Sequence, residues 1–424
     1  MRGTCGHQAI RLLGKLNNSN TQQLNGFLQL LGQILFAALF AYLAFGVIFL
    51  FVFAAAGALR KKKRYPPVNR KRNIAVLIPS YREDNIIVNT AMQAATHDYP
   101  TDHFEIFVIA DQLQPETISR LKTIPVNVVE VSFKTSTKSK SLQACINSIP
   151  PDRFGVAVIL DADNIMAPGC LEQVNSAFEK GYEAVQCHRT AKNRNTAIST
   201  LDAVSEEINN NLFRKGPRAF GLSAALIGSG MAFQFSRLSH IMNLDHILDN
   251  PGEDREIDMQ LMKENVMVEY IDEALVFDEK VSSSAVFQKQ RTRWLEAQVT
   301  HFKRFFHSDF RSAPSNMNYY TKFLQTTLLP RSLYILTFCF LAVFFLTAYF
   351  LNWNFYAPAV VWWMALVGAF VASLLISIPA SLYNRQLLRA IAHLPVLLLA
   401  MLRAVLKMKK NRVEFLHTPK THTP

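Results

Sequence analysis

From Phe27 to Leu59 the chain carries no charged residue. As one helix, at 1.5 Å per residue, that run reaches roughly 50 Å, longer than a bilayer's hydrocarbon core. Two spans would leave too few residues for a turn, so the run reads as one long or tilted membrane anchor. The FAAAGA stretch at 53–58 imitates a signal-peptidase site, but the apolar run before it exceeds a signal-peptide core. RKKKRYPPVNRKR (60–72) follows, with many cations and no acid. The positive-inside rule then places the residues after 60 on the cytoplasmic side. The chain has 45 Lys+Arg against 32 Asp+Glu, a net charge of +13, and much of the excess sits in this linker. That placement predicts contact with anionic lipid headgroups. Neither zinc-finger spacing nor a basic-region pattern occurs, so nucleic acid is not an expected partner. The five cysteines are scattered with no CxxC pair, as small core residues of a reducing compartment are.

Residues 73–310 read as one soluble α/β domain. IAVLIP (74–79), FEIFVIA (104–110), VNVVEV (126–131) and VAVIL (156–160) are short β-rich runs, and the longer gaps carry helical patterns. Such alternation predicts a mostly parallel sheet with covering helices, which binds ligands at the carboxyl ends of its strands. A second membrane block occupies 311–410. Ser332–Leu351 and Ala359–Ile378 are each about one bilayer long and form a hairpin, with Trp353, Trp362 and Trp363 suited to an interfacial belt. AIAHLPVLLLAMLRAVLKMKK is interrupted by Pro395 and Arg403 and reads as an interfacial or re-entrant helix. The expected organisation is a segment 1–26, a transmembrane helix 27–59, the linker 60–72, the domain 73–310, the membrane region 311–410 and a tail 411–424. This predicts a multi-pass protein of the plasma (inner) membrane with its soluble domain in the cytoplasm.

The strand runs end in acid: Glu83 and Asp84 after the first, Asp111 after the second, Asp161 and Asp163 after the fourth. Asp161 and Asp163, at i and i+2 on extended backbone, aim two carboxylates at one spot. A divalent cation with oxygen ligands, Mg²⁺ or Mn²⁺, would compensate them and share its remaining positions with water and substrate phosphates. Asp also favours turns and caps, which accounts for any one of these acids but less well for all of them at consecutive strand ends. Lys138 and Lys140 in TKSKSLQ supply cations for a diphosphate. Neither a GxxxxGK[ST] loop nor a GxGxxG fingerprint is present. NPGEDREID (250–258) holds four acids, which suit a helix N-terminus or supply a general base. In QKQRTRW (288–294), if helical, Gln290, Arg293 and Trp294 share one face, while Leu295, Val299, Phe302 and Phe306 form an apolar stripe.

In this order these residues resemble the family-2 inverting glycosyltransferases of GT-A fold, over nearly the whole chain from Ile74. Within that family the pattern is similar to the membrane-embedded processive branch that includes cellulose, chitin and hyaluronan synthases. That branch carries D, DxD, a base Asp and QxxRW, here Asp111, Asp161-Ala162-Asp163, Asp254 of GED, and Gln290-Arg291-Thr292-Arg293-Trp294. FLHTPK (415–420) fits the F-x-x-T-x-K gating loop of cellulose synthase, with Phe415, Thr418 and Lys420 at the matching positions.

The resemblance implies transfer of a sugar from a nucleoside-diphosphate sugar, expected to be a UDP-sugar, to a glycan or lipid-linked acceptor. Asp111 and Tyr81-Arg82-Glu83 would hold the nucleoside. Asp161 and Asp163 would place the metal, with Lys140 assisting and Asp161, Thr418 and Lys420 also contacting the nucleotide. Asp254 would be the general base, Trp294 would stack on the acceptor sugar, Arg293 would face phosphate oxygens and Gln290 would bond near the acceptor. Three readings follow: a processive polysaccharide synthase, a single-transfer enzyme, and an inactive nucleotide-sugar-binding scaffold. Synthases that build their own channel carry more spans than the three counted here, so export by the first would call on a homo-oligomer, a partner or the re-entrant segment.

Overall fold

A computed structural model describes residues 4–248, 252–304, 316–353 and 356–408. The tail with Phe415, Thr418 and Lys420 lies outside the described residues. The chain divides into two compact units, Met1–Val52 with Leu329–Leu375, and Phe53–Leu328 with Ile376–Pro424.

The first unit is helical. Gly26–Leu59, Arg331–Phe350 and Val360–Ser377 are long and apolar enough to cross a membrane, and Gly26–Leu59 runs on into the second unit. Aromatic side chains fill this unit's interior: Phe36 stacks on Phe344 at 4.9 Å, and Trp363 meets Phe40 edge-on at 5.0 Å. Trp363 is therefore core, not part of an interfacial belt, whereas Trp362 is 61% exposed. Phe340, Val343, Leu346 and Met364 point outward, an apolar exterior that suits hydrocarbon.

The second unit is built on one sheet of eight strands: β1 (Ile74–Tyr81), β2 (Phe104–Asp111), β3 (Asn127–Val131), β4 (Val156–Ile159), β5 (Ile165–Met166), β6 (Ala184–Ala191), β7 (Met231–Gln234) and β8 (Val268–Asp278). Their order is β3-β2-β1-β4-β7-β6-β8-β5. Pairing is parallel from β3 through β4 and between β6 and β8; β7 and β5 run against their neighbours. β1, β2, β3, β4, β6 and β8 thus all point their carboxyl ends to one edge.

β1, β2 and β4 read as largely apolar runs because both sheet faces are covered there. Ile74, Val76 and Ile78 enter one core with Ile87, Ala91, Leu171 and Val174 of the covering helices. Ala75 and Leu77 enter the other with Leu142, Ile146, Ile257 and Leu261. Helix Met317–Thr327, expected in the membrane region, belongs here: Tyr319 is buried in the second core and Asn318 accepts the Ser223 N–H at 2.8 Å. Helices Arg385–Ile391 and Leu394–Leu406 are bent by 49° at their junction. Leu397 and Ala400 pack on Phe287.

The basic linker corrects the expectation of lipid contact for four of its cations. Arg60 donates to Asp272 at 2.6 Å and to Glu269 at 3.4 Å. Lys63 lies 3.3 Å from Glu269, Lys71 2.7 Å from Glu172, and Arg72 2.6 Å from Glu179. Tyr65 between them is fully buried. Lys61, Lys62 and Arg64 remain exposed. Glycine permits the close crossing just before the linker: a Cβ on Gly216 would come 2.5 Å from the Phe53 carbonyl oxygen.

Glu269 is the centre of this strap, since Arg218 reaches both its carboxylate oxygens at 2.9 Å. Burial alone would raise its carboxyl, but Arg218 outweighs burial and holds it down to about 2. The ionised form therefore contributes stability at neutral pH that is lost as pH falls through the ordinary carboxylate range toward 2. Glu269→Gln, which strands these cations, should cost about 3 kcal/mol at pH 7. Thermal unfolding across pH should show the wild type more stable at pH 7 and the gap closing in acid. A gap independent of pH would remove Glu269 from this role.

Candidate active site

β4 ends at Ile159, and the chain turns through Asp161-Ala162-Asp163-Asn164, with the Asn164 N–H on the Asp161 carbonyl at 3.0 Å. β8, running the same way, ends at Asp278. Carboxylate oxygens of Asp161, Asp163 and Asp278 lie within 4.8 Å of one another. Asp163 and Asp278 are buried, and the Asp161 side chain is about one-third exposed. Three anions so close need compensation, and each has its own. Lys138 donates to Asp161 Oδ1 at 2.5 Å. Asn164 Nδ2 sits 3.3 Å from both Asp163 Oδ1 and Asp278 Oδ1. The Glu279 N–H points at Asp163 Oδ2, and Lys280 donates to Asp278 Oδ2 at 2.7 Å. An all-oxygen set of hard donors fits Mg²⁺ or Mn²⁺.

Lys138 opens helix Lys138–Ser148, whose N-cap Thr137 also donates to the Leu248 carbonyl at 2.8 Å. Its ammonium touches three things: Asp161, the Gly228 carbonyl at 2.5 Å and, at 3.6 Å, Glu253. Burial would lower its pKa, but Asp161 and Glu253 outweigh burial and raise it, so the ammonium stays charged. Lys138 reaches the carboxylates of the cluster, and Lys140 Nζ lies 3.4 Å from the Thr135 carbonyl.

The loop Gly228-Ser229-Gly230 lies opposite, with φ of +82° at Gly228 and +62° at Gly230. Gly228 passes beside the acid-rich helix Glu253–Lys263: a Cβ there would come 3.7 Å from Asp254 Oδ2. Asp254 and Glu253 sit in the helix's first turn, where the dipole favours carboxylates. Burial pushes the Glu253 carboxyl up to about 7, against the pull of Lys138.

At the ends of β1 and β2 two residues adopt left-handed backbone, Arg82 and Gln112, both at φ +56°. Such strain is uncommon outside glycine and marks a built turn. The Arg82 side chain bonds Gln112 Oε1 at 2.9 Å, and its guanidinium lies 5.1 Å from the Tyr81 ring. Asp111 is buried, and among the described residues neither carboxylate oxygen has a partner in good hydrogen-bond geometry, although the Ser136 hydroxyl lies close enough to oppose the effect of burial. Burial raises its pKa. A buried carboxylate with empty acceptors at a strand end is what a ligand N–H would satisfy. Glu83 leads into helix Asp84–Ala95. Asp84 serves the fold, accepting the Gln114 N–H at 2.7 Å.

QKQRTRW lies in helix Ser284–Arg304. Gln290, Arg293 and Trp294 are half-buried; of the expected apolar stripe Leu295 is buried, Val299 and Phe302 are exposed, and Phe306 lies outside the described residues. It is Arg291 that covers Trp294, at 4.2 Å from the ring, and that bonds Asp202. Asp278 went unread in the sequence although it follows VEYIDEALVF, the same strand-then-acid signal that marks Asp111 and Asp161.

A model of the family described as "Glycosyltransferase like family 2" matches residues 71–297. Among solved structures, the mannosyltransferase PcManGT from Pyrobaculum calidifontis, in complex with GDP-Man and Mn²⁺, is similar at 14% identity and a TM-score of 0.53. That similarity covers 88% of this chain and 97% of PcManGT. Glucosyl-3-phosphoglycerate synthase from Mycobacterium tuberculosis, in complex with Mn²⁺, UDP and glucosyl-3-phosphoglycerate, matches at 14% identity and a TM-score of 0.38, over 54% of this chain and 79% of that one. No curated protein matches by sequence. The expected fold, an α/β GT-A domain with a mostly parallel sheet together with apolar helices of spanning length, is the fold found.

Lys138→Met should weaken binding of a nucleoside diphosphate about tenfold or more, the scale of one charge-assisted hydrogen bond. Lys140→Met should change it less than about threefold. Calorimetric titration of both variants with UDP and with GDP decides between the two lysines, and the reverse order would return the role to Lys140.

Proposed function

Because the chain belongs to the glycosyltransferase-like family 2, we propose that it is a membrane-bound inverting glycosyltransferase that moves a sugar from a nucleoside-diphosphate sugar, a UDP-sugar by its sequence resemblance, to a growing polysaccharide. The observation that carries this reading is the carboxyl edge of the sheet. Three convergent carboxylates and the buried Asp111 stand at strand ends where such sheets bind ligands, with the partly buried Lys138 beside them. QRTRW and FLHTPK support the processive branch.

Asp111 accepts an N–H of the donor's base, and Tyr81, Arg82 and Glu83 frame the same turn. Asp161, Asp163 and Asp278 would hold Mg²⁺ or Mn²⁺, which when bound offsets charge on the departing diphosphate. Lys138 adds a fixed positive charge beside the same carboxylates. Asp254 accepts the proton of the acceptor hydroxyl as its oxygen bonds the anomeric carbon; the bond from that carbon to the diphosphate oxygen breaks, and the configuration inverts. Trp294 presents an aromatic face to the acceptor sugar, Arg293 faces phosphate oxygens and Gln290 bonds near the acceptor. Thr418 and Lys420 close over the nucleotide as part of a tail that completes the site. The apolar helices hold the enzyme in the plasma (inner) membrane with the catalytic unit on the cytoplasmic side, where the linker's exposed cations meet anionic headgroups.

A second reading is a single transfer to a lipid-linked or glycan acceptor. Among the described residues three helices are long and apolar enough to span, or four if the bent pair crosses, and this favours it, since a polymer channel asks for more wall than that or for a second copy or export partner. Incubating the purified enzyme in lipid nanodiscs with radiolabelled UDP- and GDP-sugars, and sizing products by gel, separates a ladder from one added sugar. Asp254→Asn should lower turnover by about 10²–10⁴ while leaving nucleotide affinity unchanged. Loss of nucleotide binding would make Asp254 a donor residue. Full turnover would pass the base role to Glu253.

A further inference from the structure

Behind the carboxylate cluster lies a second layer of charge that the transfer reaction does not use. Helix Ala197–Asn210 carries Asp202 and Glu206 one turn apart on one face. Glu206 is 7% exposed, and its Oε2 lies 3.2 Å from Arg189 and 3.5 Å from Lys280. Both cations also face Asp278: Lys280 donates to Oδ2 at 2.7 Å, and Arg189 Nε is 4.0 Å from the same oxygen. Asn193 pins the Lys280 backbone at both N–H and carbonyl, at 2.7 and 3.1 Å, and the Lys280 side chain is buried between Asp278 and Glu206. Arg189 is fixed in turn by its bond to the Ile227 carbonyl at 3.2 Å.

We infer that Glu206 is a positioning residue for Asp278: by sharing Lys280 and Arg189 it leaves the Asp278 charge available to a divalent cation. This rests on the reading that Asp161, Asp163 and Asp278 hold the metal. Glu206 and Asp278 share Lys280 and Arg189, while Asp202 has its own partner in Arg291. Take Glu206 away, and two buried cations face one carboxylate. Asp278 is then held more strongly by its two cations, and an arriving metal ion meets a site poorer by one negative charge. Take Lys280 away instead, and Asp278 keeps more of its charge. The two variants should therefore move metal affinity in opposite directions, which a purely structural role for either residue would not do. Outer partners of metal ligands commonly set affinity by about 10–100-fold.

The experiment is a Mn²⁺ titration of the full-length purified protein without nucleotide, followed by electron paramagnetic resonance, with UDP binding in EDTA as a parallel reading. Glu206→Gln should bind Mn²⁺ about tenfold or more weakly, and Glu206→Asp, still anionic, less so. Lys280→Met should bind it about threefold or more tightly. UDP affinity in EDTA should be constant across the set. Unchanged Mn²⁺ affinity in a folded Glu206→Gln protein, or unchanged or weaker affinity in Lys280→Met, overturns the inference. If Glu206→Gln does not fold, the sign of the Lys280→Met change decides alone. A wild type whose Mn²⁺ binding is absent, or survives Asp163→Asn, overturns the metal reading itself and this inference with it.

Discussion

Mutual repulsion among carboxylates gathered at one sheet edge governs the catalytic unit. Six strands point their carboxyl ends the same way, and β4 and β8 place Asp161, Asp163 and Asp278 within 4.8 Å of one another. At such separations like charges in a partly buried site cost several kcal/mol unless opposed. The opposition is distributed: Lys138 on Asp161, an amide and a backbone N–H on Asp163, Lys280 and Arg189 on Asp278. Lys138 also ties the carboxylate cluster to the acid-rich helix, since it meets the Gly228 carbonyl and Glu253 as well as Asp161. In the proposed reaction, donor and acceptor chemistry would then share one partly buried cation.

The linker solves a related problem by the same means. Its cations could have stayed in solvent, where an ion pair is worth at most about 1 kcal/mol, as for Arg70, whose side chain is 76% exposed beside Glu179. Arg60 instead reaches acids that are nearly or wholly buried, Asp272 and Glu269. There the partners are interdependent, because removing one leaves a desolvated charge behind. Tyr65 packs under the strap and the Arg72 carbonyl accepts the Tyr99 hydroxyl at 3.0 Å, so apolar burial and backbone bonding hold the linker along with charge.

Local pattern made part of this legible. β1, β2 and β4 were readable as apolar runs because they are covered on both faces, the partly exposed edge strand β3 was readable by its valines, and the acids that follow β1, β2 and β4 came with them. β8 was not readable. Its run is broken at Asp272-Glu273, where the register against β6 slips between Cys187 and His188 and the polar residues are absorbed in a bulge. Losing the strand meant losing Asp278. The choice between Lys138 and Lys140 depends on which residue the capped first turn aims inward, which spacing does not contain. The linker's cations read as lipid-facing because their partners, Glu172, Glu179, Glu269 and Asp272, lie over 100 residues away. Trp363 read as interfacial because a tryptophan near a helix end looks alike whether it faces headgroups or Phe36 and Phe40.

The two arginines of QRTRW are not equivalent, and helix geometry says why. Residues two apart on an α-helix point about 200° apart, so Arg291 and Arg293 cannot serve one partner. Arg291 is the one turned inward, bonded to Asp202 on the helix that also carries Glu206. Trp294, three residues after Arg291, falls on the Arg291 side, and the guanidinium lies 4.2 Å from its ring. One face of the indole is therefore already covered by a cation. A sugar stacked on Trp294, as proposed, has the opposite face to use. The guanidinium fixes the ring plane against which that sugar lies, and a lysine at 291 would supply the charge but not the flat, two-sided contact. The same arginine then joins the acceptor-side helix to the charge layer behind Asp278, so the two halves of the proposed reaction are held by one buried electrostatic frame.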